Sequence, residues 1–183
     1  MGTPHTVNLY LVGFAGSGKS TVGRNVAREL ALEFIDSDHA IEQKQGQPVS
    51  EIFAQRGEPA FRALEREFIA GGHPSSGCVV ACGGGLVVPE GMLSLLHERG
   101  VVICLHASLE TIIARTGHTN HRPLFQGEDR EQRVRALYAE REPIYQRTGT
   151  IILTDRRPLR DIVAHVERVY EMEARDWAAR HRS

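Results

Sequence analysis

The sequence of 183 residues predicts an α/β protein: a five-stranded parallel sheet covered by helices on both faces. Three observations carry this. Short apolar runs recur five times and alternate with stretches of helical spacing, the pattern of βαβ units whose strands are buried on both sides. A Gly-rich loop, "GFAGSGKST" (13–21), lies between the first apolar run and the first helical stretch. Length and composition, with 41% hydrophobic and 25% charged residues, fit one compact domain over 1–183.

The elements follow in order. Residues 7–13, "VNLYLVG", form the first strand. Residues 19–31 form a helix with Val22, Val26 and Leu30 on one face. Residues 32–38, "LEFIDSD", form a short strand ending in carboxylates. Residues 41–70 are helical, interrupted near Gly46-Gln47-Pro48 and Gly57-Glu58-Pro59, where Gly and Pro oppose continuation. Residues 77–85, "GCVVACGGG", are a third strand running into glycines. Residues 89–99 form a helix that buries Met92, Leu95 and Leu96. The fourth strand spans 101–107, and a helix spans 109–115. Residues 116–129, "TGHTNHRPLFQGED", are polar and contain Gly and Pro, so they form a loop. A helix over 130–147, a fifth strand over 149–154 and a helix from Pro158 to about Ala179, with Trp177 as a packing residue, complete the chain.

Several function classes are disfavoured. The formal net charge of −1 supplies no global field for DNA or a membrane. Apolar runs such as "CVVAC" are too short to span a bilayer. The first residues lack the pattern of a secretory signal, so a cytoplasmic protein is expected. Cys78, Cys82 and Cys104 read as small core hydrophobes, not as disulfide partners or metal ligands. His118 and His121 read as a solvated pair in the 116–129 loop. Only two of the 22 Lys and Arg residues are Lys, and one of them, Lys19, sits in the Gly-rich loop. A compact ammonium suits phosphates there better than a planar guanidinium.

Gly13, Gly18, Lys19 and Ser20 complete the pattern G-x-x-x-x-G-K-[ST] between a strand and a helix, the context it requires. The fold class thereby sharpens to a three-layer α/β/α P-loop NTPase. Its nucleotide-binding set is Gly13, Ala15, Gly16, Ser17, Gly18, Lys19, Ser20 and Thr21. Small residues let backbone N–H groups wrap the phosphates. Lys19 reaches the β- and γ-phosphates, the Ser20 hydroxyl ligates Mg²⁺, and the helix N-terminus adds a favourable field.

The loop leaves the reaction open, because GTPases, motors, helicases and small-molecule kinases share it. No N-K-x-D guanine signature occurs, and the third strand ends in glycines instead of an acidic residue. The carboxylate that organises Mg²⁺ therefore comes from Asp36 or Asp38. These two are expected to diverge at the end of a regular strand, Asp36 toward the metal and Asp38 toward an acceptor hydroxyl. Alternatively they cap a helix starting near His39. Arg62, Arg141 and the small corner Gly83, Gly84 and Gly85 complete a pocket suited to a small, hydroxylated, anionic acceptor.

Together "GFAGSGKSTVGR", "FIDSD", "GEPAFRALE", "GGG", "HRPL" and "AEREPIY" resemble shikimate kinase over nearly the whole chain. The resemblance implies a nucleoside-monophosphate-kinase-like fold with a core over about 7–170. It also implies an acceptor-binding segment over about 38–70 and a lid over about 116–129. It implies transfer of the γ-phosphate of ATP to the 3-hydroxyl of shikimate, in the pathway to aromatic amino acids, by a monomer without nucleic-acid or membrane partners. The implied catalytic residues are Lys19, Asp38 and Arg122. Asp38 acts as base, Asp36 and Ser20 hold Mg²⁺, Arg62 and Arg141 pair with the shikimate carboxylate, and Glu65 supports Arg62. Gly83, Gly84 and Gly85 line the acceptor pocket. Arg115, Arg122, Arg157 and Pro158 are implied to bind ATP. Gly117 and Gly127 are expected to bracket the moving segment. Cys82 stands where many relatives carry a small hydroxyl residue. A gluconate or aminoshikimate kinase is the alternative reading, and a non-catalytic nucleotide-binding module is a third.

Overall fold

The computed structural model describes residues 7–116 and 129–181. Along them run β1 (Asn8–Val12), α1 (Lys19–Glu29), β2 (Glu33–Asp36), α2 (Ser37–Gln45), α3 (Val49–Gly71) and β3 (Cys78–Ala81). Then follow α4 (Met92–Arg99), β4 (Gly100–His106), α5 (Leu109–Thr116), α6 (Arg130–Tyr145), β5 (Thr150–Leu153) and α7 (Leu159–Arg180). Every pairing is parallel and the sheet order is β2-β3-β1-β4-β5. The three-layer class is the expected one.

Strand periodicity builds the two cores. Tyr10 and Val12 of β1, Val80 of β3 and Val102 of β4 face one way and meet residues of α2 to α6. Leu9, Leu11, Val79 and Ile103 face the other way, onto α1 and α7. Val22 and Val26 are buried and Leu30 is partly buried, as the spacing predicts. Cys78, Cys82 and Cys104 are free thiols buried in the first core. Trp177 packs against the second and donates its indole N–H to the His97 carbonyl at 2.8 Å. No helix among the described residues is long and apolar enough to cross a membrane.

The strands also end together. Ala81 lies level with Leu11 on one side and with Asp36 on the other. The chain after β1, β2 and β3 therefore leaves the sheet at one edge, where ligands of open parallel sheets bind.

Two boundaries differ from expectation. β2 stops at Asp36, and α2 begins at Ser37, earlier than either His39 or Ile41. A regular strand would have put Asp36 and Asp38 on the same face, so the expected divergence has the wrong cause. Capping produces it instead: Asp36 Oδ1 accepts the N–H of Asp38 at 3.2 Å and of His39 at 3.4 Å, while Asp38 enters the first helical turn. The break at Gly46 is real, with φ 68° closing α2. The break at Gly57 is a kink inside α3, with φ 77° and ψ 169°. Within the 116–129 loop, Gly117, His118, His121, Arg122 and Gly127 lie outside the described residues.

Candidate active site

The loop after β1 wraps a point beside the N-terminus of α1. Gly13, Gly16 and Gly18 have φ of 136°, 86° and 98°, which side chains disfavour. Space adds a second constraint at Gly16, where a Cβ would fall 2.7 Å from Thr116 Cγ2. Ser17 is fully buried in the turn, and Ala15 is buried behind it. Lys19 is nearly buried, and its Nζ donates to the carbonyls of Gly13 at 2.8 Å and Phe14 at 2.9 Å. A cavity of about 330 Å³ opens over this loop, bordered by Lys19, Ser20, Thr21, Asp36, Asp38, Cys82 and Arg115.

A hydroxyl and a carboxylate converge at its floor. Ser20 Oγ donates to Asp36 Oδ2 at 2.8 Å. Two hard oxygen donors of this kind fit Mg²⁺, which typically takes one or two protein oxygens and leaves its other positions to phosphates and water. Among the described residues no group of three His, Cys, Asp or Glu forms a ready-made metal cage.

A second cleft, of about 1050 Å³, lies beyond the carboxylates. Asp36 and Asp38 border both spaces, while Phe53, Glu58, Arg62, Leu137 and Arg141 border only this one. The glycine corner packs against Asp38 and Arg62, which border the cleft. A Cβ on Gly83 would lie 2.9 Å from Glu65 Oε1 and would strike the Asp38 carboxylate. A Cβ on Gly85 would lie 2.8 Å from the Arg62 Cζ, and one on Gly84 3.2 Å from the Ala15 nitrogen. Gly83 also donates its N–H to the buried Ser37 hydroxyl at 2.8 Å, which ties this corner to α2.

The cations are held from behind. Arg62 Nη1 donates to Glu65 Oε2 at 2.7 Å. Glu65 is only 1% exposed, and burial pushes its carboxyl from 4.5 up to about 7, with Arg62 pulling it down and Asp38 pushing it up. Arg141 is carried by α6, and its Nε is buried without a hydrogen-bond partner. α6 is fixed by aromatics: Tyr138 packs edge-on against Phe14 at 5.4 Å, and the Tyr145 hydroxyl donates to the Gly84 carbonyl. The Tyr138 hydroxyl also donates to the Ala107 carbonyl at 3.0 Å.

On the far side of the smaller cavity, Arg115 donates to the Thr154 hydroxyl at 3.0 Å and to its carbonyl at 2.7 Å. Asp155 accepts the Ser108 N–H at 3.0 Å and its hydroxyl at 2.9 Å, which binds the loop after β5 to the start of α5. Arg157 donates to the Leu153 and Asp161 carbonyls, each at 3.2 Å, and Pro158 leads exposed into α7.

Thus Lys19, Ser20, Asp36, Asp38, Arg62 and Arg141 gather around two adjoining spaces, and the three glycines pack against Asp38, Ala15 and Arg62. Arg115 borders the smaller one. Sequence reasoning missed Tyr138 and Tyr145, which nothing in the pattern marks. It also missed the grip of Glu58 on Arg62, which the i,i+4 spacing signals.

Residues 15–171 match the family model described as shikimate kinase. The chain belongs to the shikimate kinase family. The shikimate kinase of Pseudomonas fluorescens (strain Pf0-1) is 42% identical over 160 residues, covering 87% of this chain and 93% of the relative. The solved shikimate kinase from Acinetobacter baumannii, in complex with shikimate, is 35% identical with a TM-score of 0.81. That likeness covers 91% of this chain and 94% of that one. A gluconokinase from Sinorhizobium meliloti 1021 covers the whole of both chains at 18% identity and a TM-score of 0.61, a likeness of fold alone. The family assignment favours the shikimate kinase reading over the gluconate alternative. It makes the chain an ATP-dependent phosphotransferase with an alcohol acceptor.

Proposed function

We propose that this chain transfers the γ-phosphate of ATP to the 3-hydroxyl of shikimate, giving shikimate 3-phosphate and ADP on the route to chorismate. One observation supports it most. Asp36 and Asp38 border both the P-loop cavity and the arginine-lined cleft, so a phosphate donor and an anionic acceptor would meet at these carboxylates.

In this reading Gly13, Ala15, Gly16, Ser17, Gly18 and Thr21 seat the triphosphate, with Arg115, Arg157 and Pro158 toward the adenine. Lys19 leaves the Gly13 and Phe14 carbonyls for the β- and γ-phosphates. Ser20 and Asp36 would hold Mg²⁺, which when bound neutralises phosphate charge. Arg62 and Arg141 pair with the acceptor carboxylate, and Gly83, Gly84 and Gly85 allow the ring close to the backbone. The acceptor oxygen then attacks the γ-phosphorus in line. The bond to the bridging oxygen of ADP breaks, and the hydroxyl proton passes to Asp38. Residues 38–70 serve as the acceptor-binding segment. The role of Arg122 rests on the sequence resemblance alone. Both sites come from one chain, which supports a monomer as the working unit, and we place it in the cytoplasm.

The test is coupled ADP release with ATP and Mg²⁺, comparing shikimate, quinate, gluconate and AMP, in wild type and Asp38→Asn. Turnover with shikimate that is nearly abolished in the variant is expected. Preference for another acceptor would overturn the assignment.

A further inference from the structure

The cleft already contains a carboxylate on one of its two arginines. Glu58 Oε1 accepts from Arg62 Nε at 3.1 Å and from Nη2 at 2.6 Å. That pair of donors is one of the edges by which a guanidinium grips a carboxylate. Glu65 holds Nη1 on the other side. Arg141 differs, since its buried Nε has no hydrogen-bond partner. The two arginines that face the cleft are therefore not equally ready for an acid.

Glu58 is also placed to leave. Its side chain is 54% exposed, against 15% for Arg62 and 1% for Glu65. It follows Gly57, where α3 departs from helical geometry, and it borders the cleft itself. An ion pair with one solvated partner contributes little, because water competes for the exposed carboxylate. Glu65, buried, is the fixed anchor of Arg62, and Glu58 is the exchangeable one.

We infer that Glu58 competes with the acceptor's carboxylate for Arg62 and so sets how tightly the cleft holds any acid, hydroxylated or not. The inference rests on reading Arg62 as the partner of that carboxylate. An incoming acid must take Nε and Nη2 from Glu58. An acid without hydroxyls gains little, because one carboxylate merely replaces another on the same donors. An acid that also sets a hydroxyl against Asp38 gains a further charge-assisted hydrogen bond, and the exchange goes forward.

The test uses the full chain without nucleotide. Shikimate and benzoate, a ring acid without hydroxyls, are titrated calorimetrically into wild type, Glu58→Gln and Glu58→Ala. Both variants should bind both acids about two- to five-fold tighter, the range of an exposed ion pair. The KM for shikimate should fall by the same factor while kcat moves less than about twofold. In an Arg62→Met background Glu58→Gln should change neither quantity, since Glu58 acts only through Arg62. Unchanged or weaker binding of the acids by Glu58→Gln overturns the inference and makes Glu58 a brace for Arg62. A wild type that fails to turn over shikimate overturns the proposed function instead, and the benzoate titration still decides whether Glu58 competes.

Discussion

The Ser20 hydroxyl donates to Asp36 Oδ2 at 2.8 Å, joining the first turn of α1 to the end of β2. The other oxygen of the same carboxylate caps α2 through the N–H groups of Asp38 and His39. One side chain thus fixes where the second carboxylate stands and borders both spaces of the site.

Those two roles can be separated. Asp36→Asn keeps a side-chain oxygen for the cap, and Asn is as good an N-cap as Asp. The melting temperature should stay within a few degrees of wild type. The Mg²⁺ concentration needed for half-maximal activity should rise about tenfold or more, because the ligand charge is gone. Titration of activity against Mg²⁺, beside a thermal melt, checks both. A melt that collapses with an unchanged Mg²⁺ requirement would leave Asp36 a cap only.

Gly85→Ala should act on one substrate. The new Cβ would press on the Arg62 guanidinium, and overpacking of this sort costs about 1–3 kcal/mol. The KM for shikimate should rise about tenfold while that for ATP holds, since Arg62, on which the new Cβ presses, borders the acceptor cleft and not the P-loop cavity. Steady-state kinetics with each substrate varied decides it. Equal losses for both would mean that the whole corner moves.

Glu65 should leave a signature in stability against pH. Burial raises its carboxyl to about 7 in the folded chain, from 4.5, despite the opposing pull of Arg62. The folded state therefore keeps a proton where the unfolded chain has lost it. The stability this contributes is complete below about 4.5 and is lost as pH rises through about 7. Glu65→Gln cannot titrate. Its stability relative to wild type should climb over that window by on the order of 3 kcal/mol. Urea midpoints between pH 4.5 and 8 measure the slope, and a difference independent of pH would refute it.

The three cysteines should be inert in the folded chain. Burial pushes the Cys78 and Cys104 thiols up to about 11, and that of Cys82 higher still. Thiolate, the reactive form, is therefore scarce at neutral pH. A disulfide-type thiol reagent should label none of them in native protein and all three in urea. Cys82 borders the P-loop cavity, so rapid native labelling that ATP blocks would contradict this reading.

Much of this was legible in one dimension, and the reason is local. The phosphate loop needs glycines at left-handed positions and a lysine at the head of a helix, and both are properties of adjacent residues. A buried parallel strand must be apolar on both faces, so "VVICL" and "CVVA" announce themselves. Asp36 was legible as a residue but not as a geometry. Whether β2 ends at Asp36 or Asp38 depends on the start of α2, and boundaries respond to capping bonds that composition does not encode.

By itself, then, the sequence determined the sheet, the phosphate loop and the residue types a phosphoryl transfer to a small acid requires. Tertiary structure alone decided how they meet. Asp38 stands against Gly83 and Glu65, Arg62 against Gly85, and Tyr145 against Gly84 because strands and helices far apart in the chain end at one edge of one sheet. Contacts of that kind, and the burial that raises the Glu65 carboxyl, arise only when distant segments exclude water together.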